Sequence, residues 1–244
     1  MKVFAISDLH LSINNPKPMD IFGPVWDNYL EDIEKNWNEV VSDDDLVLLA
    51  GDLSWAMKLA DAKRDIDYVS KFKGNKVIIR GNHDYWWGTI SAVREALGKN
   101  FYAVQNDSIK IGDYIICGSR GWTVPEIKEL GPEDKKIYDR ELIRLEMSLK
   151  SAKEKQTNNE KIICMIHFPP FNTKREDTGF TKLFEKYGIT TVVYGHLHGN
   201  FPKSDLVVDK NGVRYYLTSC DKTKNKLVEI IWFKLLIKSI KFTT

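Results

Sequence analysis

Residues 76–84 read Lys76-Val77-Ile78-Ile79-Arg80-Gly81-Asn82-His83-Asp84. A short apolar run leads into a glycine and then into three side chains that can coordinate, hydrogen-bond or move a proton. The β-branched run predicts a buried strand, and the glycine predicts a tight turn at its end. The same arrangement recurs along the chain. Val3–Ile6 leads to Asp8-Leu9-His10, and Leu46–Ala50 leads to Gly51-Asp52. Ile162–Ile166 leads to His167-Phe168-Pro169, and Thr191–Tyr194 leads to Gly195-His196-Leu197-His198. All five histidines of the chain lie in these motifs.

Working outward, the intervening segments alternate between helical and strand patterns. Trp26, Leu30, Ile33, Trp37 and Val40 recur at helical spacing behind Pro24, which suits a first turn. Leu59, Ala62, Ile66, Val69 and Phe72 mark a second helix closed by Gly74, and Ile90–Leu97 a third. The middle of the chain changes to short strands: Phe101–Val104, Ser108–Ile111 and Tyr114–Gly118, the last two joined at Gly112-Asp113. A long charged helix follows Gly131-Pro132, with Tyr138, Leu142, Leu145, Leu149 and Ala152 as its stripe. A short helix is expected near Thr181–Tyr187. The end reads as strands at Leu206–Val208, Val213–Leu217 and Lys226–Trp232, with Asn211-Gly212 as a hairpin turn. Parallel βαβ units followed by hairpins point to a mixed α/β fold, with two packed sheets flanked by helices. The motifs run from Asp8 to His198, so residues 1–244 are read as one domain.

Composition bounds the partners. With 244 residues, 43% hydrophobic content and seven tryptophans, the chain can build a sizeable core. The formal net charge of +2 gives no argument for nucleic-acid binding. Three cysteines without regular spacing do not form a disulfide framework. Cys117 and Cys164 read as small core residues, and Cys220 as a more exposed one. No apolar stretch is long enough to span a membrane, and no room precedes Asp8 for a cleavable signal. A reducing, cytoplasmic setting is the resulting expectation.

The chemistry of the motifs is that of a metal centre. Side chains two apart on a strand share a face, so Asp8 with His10, and His196 with His198, are expected to reach one ion together. Ligands in α/β sheets gather beyond the carboxyl ends of strands, where every motif sits. Asp8, His10, Asp52, Asn82, His167, His196 and His198 are seven candidate ligands, too many for one open tetrahedral site. Two ions sharing a carboxylate would use them all. Imidazole and carboxylate without thiolate suit Mn, Fe or Zn.

The order Asp-x-His, Gly-Asp, Gly-Asn-His-Asp, His, Gly-His-x-His resembles the calcineurin-like metallophosphoesterase superfamily. The resemblance implies a four-layer αββα sandwich of two mixed sheets, a dinuclear centre of divalent ions, and hydrolysis of a small phosphate mono- or diester by a hydroxide held between the ions. It implies Asp8, His10, Asp52 and His198 as ligands of one ion, and Asp52, Asn82, His167 and His196 as ligands of the other. It implies His83 as the group that protonates or hydrogen-bonds the leaving oxygen, with Asp84 holding its other nitrogen.

Within the superfamily, protein Ser/Thr phosphatases typically carry Gly-Asp-x-His-Gly and Gly-Asn-His-Glu. Here Ser7-Asp8-Leu9-His10-Leu11 and Asp84 depart from both. Lipid A-pathway pyrophosphatases usually have arginine where His83 stands. Double-strand-break nucleases add a DNA-binding region beyond the core. The pattern is closest to bacterial-type small phosphohydrolases and cyclic-nucleotide phosphodiesterases. A non-catalytic scaffold of the same fold would normally lack several motif histidines, and none is missing here.

Around the motifs, several readings stay open. A lone histidine such as His167 is more often a core residue than a ligand; only the set argues for metal. Tyr85, Trp86 and Trp87 could stack on a planar substrate group or begin a buried helix, and the expectation is one aromatic at the site and the others in the core. Trp55 is a similar case. Arg120 is a second phosphate anchor or a surface ion pair. Phe168 and Phe171 are expected to form a rim. The tail Phe233–Phe242 mixes apolar residues with lysine and reads first as an edge strand.

Overall fold

The apolar runs become strands because each can bury both of its faces. The computed structural model describes residues 1–14, 16–126, 128–199 and 204–231. In the first sheet, β1 (Val3–Ile6), β2 (Leu46–Leu49), β3 (Asn75–Ile78) and β4 (Phe101–Ala103) run parallel in that order. The short β11 (Val228–Glu229) lies antiparallel on the outer edge of β1. The second sheet contains β5 (Ser108–Ile111), β6 (Tyr114–Ser119), β7 (Lys161–Ile166), β8 (Thr191–Tyr194), β9 (Val207–Lys210) and β10 (Val213–Leu217). Its spatial order is β5-β6-β7-β8-β10-β9. Strands β6, β7, β8 and β10 are parallel, and β5 and β9 close the edges antiparallel.

Strand alternation sorts the side chains into three apolar layers. Val3, Ala5, Leu46, Leu48 and Val77 of the first sheet meet Ile116, Ile163, Met165, Val193 and Tyr216 of the second. The opposite face of the first sheet, with Phe4, Ile6, Val47, Leu49 and Ile78, packs on Ile33, Trp37, Ile66, Val69 and Val93. Those residues belong to α1 (Tyr29–Val40), α2 (Leu59–Ser70) and α3 (Ile90–Ala96). The outer face of the second sheet, with Ile115, Cys117, Cys164, Val192 and Tyr215, packs on Leu145, Leu149, Phe180 and Phe184. These come from α4 (Pro132–Lys155) and α5 (Gly179–Lys186). The layers are therefore helix, sheet, sheet, helix, the expected mixed α/β sandwich. Each fully buried aliphatic side chain contributes roughly 1.5–3 kcal/mol, so the inter-sheet layer clamps the two sheets at a fixed spacing.

Local chemistry shifts a few boundaries. Pro24–Trp26 is a single 3-10 turn, and the helix expected from Pro24 starts only at Tyr29. Asn28 interrupts it in the left-handed region at φ 52°, a conformation that a short polar side chain tolerates. Helix α5 begins at Gly179, earlier than its apolar spacing suggests, because the Thr178 side chain accepts from the Phe180 and Thr181 N–H groups. In the Asn211-Gly212 hairpin both residues have positive φ, 51° and 76°, as a type I′ turn requires. Trp232 and the tail Phe233–Phe242 lie outside the described residues. Among the described residues, no helix is long and apolar enough to cross a membrane.

Candidate metal centre

All five motifs follow strands that run the same way within their sheets, so their side chains collect at one edge of the sandwich. Asp8 and His10 follow β1, Asp52 follows β2, and Asn82, His83 and Asp84 follow β3. His167 follows β7, and His196 and His198 follow β8. The sheets are joined across this edge where the His196 N–H donates to the Asp8 carboxylate at 3.1 Å; within the second sheet the Gly195 N–H donates to the His167 carbonyl at 3.1 Å.

The pairs do not project from strands, as their spacing suggests. The strands end before the motifs, and Asp8, His10, Asp52 and His196 all have left-handed backbone, at φ 59°, 48°, 54° and 71°. The backbone kinks hold because the neighbouring loops remain hydrogen-bonded. Asp8 N–H donates to Gly51 O at 3.0 Å, His10 N–H to Asp52 O at 3.1 Å and Leu11 N–H to Leu53 O at 2.9 Å. Strain of order 1–3 kcal/mol per such residue persists only where surrounding structure over-determines it, and these ladders supply that.

Asp8, His10 and Asp52 are fully buried, and together with the half-buried His198 they offer ligand atoms all within 4.8 Å of one another. His10 Nε2 and His198 Nε2 stand 3.1 Å apart. A second group faces the other side of Asp52. Asn82 Oδ1 lies 2.7 Å from His167 Nε2 and 2.9 Å from His196 Nδ1, and His167 Nε2 lies 3.4 Å from Asp52 Oδ2. The Ala50 carbonyl, 2.9 Å from His167 Nδ1, can only accept, so that nitrogen carries a proton, and a cation that displaces the second proton would meet the lone pair of Nε2.

Asp52 tests whether these residues suit a cation. Its Oδ1 accepts the His83 N–H at 2.8 Å, whereas Oδ2 is buried without a hydrogen-bond partner. His10 Nε2 is 3.9 Å from that oxygen. A buried carboxylate oxygen without a hydrogen-bond partner is costly, and a cation among these imidazole nitrogens would satisfy it. The electrostatics agree. Burial lowers the His167 imidazole, but the Asp52 carboxylate overrides it and lifts the ring to about 9, so the spot calls for positive charge. Burial holds His10 near 3 and His196 near 4. Both are therefore neutral rings with lone pairs available, which metal ligation requires. The donor set of imidazoles, carboxylates and an amide oxygen fits a first-row divalent ion.

The glycines let the loops approach this closely. Gly51 has φ 96°, and a Cβ there would lie 2.6 Å from His167 Nδ1 and 2.8 Å from Gly81 Cα. Gly51→Ala is expected to destabilise the fold by about 2 kcal/mol or more through backbone strain alone. It should also push His167 off the Ala50 carbonyl. Thermal unfolding measures the first effect and the His167 ring NMR signals the second; an unchanged melting temperature would contradict the close packing.

His83 sits at the opening, half-buried. Its ring centroid is 4.5 Å from Trp55, 5.5 Å from His10 and 6.0 Å from Tyr85. Burial holds it below its ordinary value against the pull of Asp52. Asp84 does not steady its ring, contrary to expectation: His83 Nδ1 is buried without a partner. The Asp84 carboxylate instead accepts from the backbone N–H groups of Asp52, Leu53, Ser54 and Gly81 and from Trp86 Nε1–H. Burial and the nearby Asp52 charge push Asp84 up to about 6, so it is still ionised at neutral pH and able to accept from all five. It ties the Asp52 loop to the Asn82 loop.

The aromatic and basic candidates separate. Tyr85 is exposed beside His83. Trp86 and Trp87 are buried in the helix-side core, so Trp86 is no substrate contact and serves Asp84. The Arg120 guanidinium is engaged by Glu141 at 3.4 Å and lies over the Trp122 ring. It is not a surface pair, being 19% exposed against a Glu141 that is 1% exposed. Its carbonyl, however, accepts the His167 and Phe168 N–H groups and so positions His167. Trp55, the other aromatic that could stack on a substrate or lie in the core, is half-buried and stacks on His10 at 4.6 Å and 20°. Cys220 is buried, not exposed, and its thiol donates to the Asp8 carbonyl at 3.1 Å. Ser7, which donates to Asp8 Oδ2 at 2.6 Å, and Ala50 drew no attention in the sequence, because neither residue type carries a signal of its own.

The family pattern described as calcineurin-like phosphoesterase matches residues 1–200. An uncharacterized protein of Methanocaldococcus jannaschii is 33% identical over 108 residues, which are 43% of this chain and 58% of that protein. The matched part thus spans little more than half the length of that relative. A solved structure of a protein of unknown function from Aquifex aeolicus has a TM-score of 0.49 at 13% identity, covering 93% of this chain and 95% of that one. With a buried cluster suited to metal at the strand ends and a family match over most of its length, this chain belongs to the calcineurin-like phosphoesterase family.

Proposed function

We propose that the protein hydrolyses a small phosphate ester at two divalent ions, Mn, Fe or Zn, that share Asp52. The observation that carries this is the unpartnered, buried Asp52 Oδ2 between two groups of ligand atoms. Asp8, His10, Asp52 and His198 would hold one ion, and Asp52, Asn82, His167 and His196 the other. When bound, such a pair supplies the Lewis acidity that activates water near neutral pH and neutralises phosphoryl oxygens. The protein does the rest. Asp8 is held by Ser7 and the His196 N–H, and His167 by Ala50, so the ligands are oriented before anything binds. The half-buried Asn82, His83, His196 and His198 mark the side from which a substrate enters. Asn82 would also hold a phosphoryl oxygen through its amide N–H.

His83 is neutral near pH 7 and keeps one ring N–H. At the opening, between Trp55 and Tyr85, that N–H would hydrogen-bond the departing ester oxygen and stabilise its charge until water protonates it. Tyr85 would flank the ester group. His83→Ala is expected to lower turnover of alkyl phosphates by about 10²-fold or more, and of nitrophenyl phosphates much less, because nitrophenolate leaves without a proton. Equal losses for both substrates would remove the donor role. Failure of the parent protein, loaded in turn with Mn, Fe and Zn, to hydrolyse any mono- or diester would overturn the phosphoesterase reading and favour a scaffold.

A further inference from the structure

A cavity of about 460 Å³ opens beside the centre and shares His196 with it. Its size is that of a small-ligand site. Among the described residues its inner wall is apolar: Val124, Phe168, Phe171, Tyr194, Leu197 and Val208. The Phe168 ring lies 4.2 Å from the His196 ring at 33°, so the cavity and the ligand cluster meet at one imidazole. A group attached to a phosphorus atom near His196 would therefore lie next to the cavity.

Several polar lining residues already hold partners. Glu126 accepts from the Thr173 N–H and hydroxyl. Asn172 donates to the Pro125 carbonyl and to Glu176. Arg175 is paired with Asp205. The Arg175 guanidinium is already paired with Asp205, and Glu126 adds a second carboxylate to the lining, which disfavours a second phosphate or any other anion. A sugar would find few unengaged donors and acceptors. An uncharged apolar group would instead bury its surface against aromatic and aliphatic walls at roughly 25 cal/mol per Å².

We propose that this cavity binds an uncharged alkyl or aryl arm of a phosphate ester, making the protein selective for diesters with an apolar substituent. The proposal rests on the phosphoesterase reading above and adds the substrate class. The test is a series of nitrophenyl phosphodiesters in which the nitrophenyl group is constant and the second arm is methyl, propyl, hexyl, phenyl or a nucleoside. The Mn-loaded parent protein is expected to raise kcat/KM by roughly two- to fourfold per methylene, up to the length of the cavity, with phenyl well above methyl and the nucleoside no better than methyl. Val124→Phe, which would fill the cavity, should flatten the series. The parent series stands by itself should that variant misfold. Hydrolysis of every member at the same rate, or a preference for the nucleoside, would overturn the apolar arm while leaving the phosphoesterase intact. Absence of hydrolysis across the series with Mn, Fe and Zn would overturn both.

Discussion

Asp84→Ala is expected to unfold the protein or bring it to the edge of unfolding, though Asp84 lies outside both ligand groups. The variant strands five buried donors at once: four backbone N–H groups, at 2.9, 2.9, 3.2 and 2.7 Å from the carboxylate, and the Trp86 indole N–H at 2.9 Å. A buried donor left unsatisfied costs about 1–3 kcal/mol. Even the lower bound, summed over the set, approaches the whole stability of a typical domain, about 5–15 kcal/mol. Water entering the gap would recover part of this. Asp84→Asn keeps the shape and one acceptor oxygen but turns an amide NH₂ towards N–H donors, so its loss should be intermediate. Urea unfolding of parent, Asn and Ala proteins gives the ranking. A loss under 1 kcal/mol for alanine would mean that the carboxylate does not organise the two loops.

The second large effect concerns Asp52→Ala. Asp52 Oδ2 lies 3.9 Å from His10 Nε2 in one ligand group and 3.4 Å from His167 Nε2 in the other, and Oδ1 holds the His83 backbone N–H. The variant is expected to retain neither ion after dialysis and to lose at least about 10³-fold in ester hydrolysis, combining weakened positions at both ions with a displaced His83 loop. His198→Ala, at the half-buried edge of one group only, should lose one ion and keep the other. Metal content by mass spectrometry, read beside a circular dichroism spectrum showing retained fold, separates these outcomes. Two tightly bound ions in Asp52→Ala would rule out the shared carboxylate.

How far the sequence could be read depended on the kind of interaction. The buried strands were legible because Leu46–Leu49 and Ile162–Ile166 are unbroken apolar runs, and burial on both faces leaves no other pattern. The type I′ hairpin at Asn211-Gly212 was legible because few residues accept positive φ. Asp84 was misread because a carboxylate next to a histidine has two partners within reach, the imidazole and the converging backbone N–H groups. Only the path of the Asp52 loop decides between them. Arg120 was misread for a similar reason: Glu141, its partner, is 21 residues away on α4. Trp86 and Tyr85 are adjacent and alike in the sequence, yet one is buried and the other exposed.

The sequence by itself determined the strand content, the mixed sandwich and the family, because apolar periodicity and the ordered Asp, Asn and His motifs are local patterns that survive in one dimension. The tertiary structure alone decided how those motifs converge. It set left-handed kinks at Asp8, His10, Asp52 and His196 in place of strand geometry, left Asp52 Oδ2 without a hydrogen-bond partner between two ligand groups, and opened an apolar cavity behind His196. Each of these depends on distances between segments more than 30 residues apart, such as the 188 between His10 and His198. Such distances follow from how two sheets pack, which no local pattern encodes.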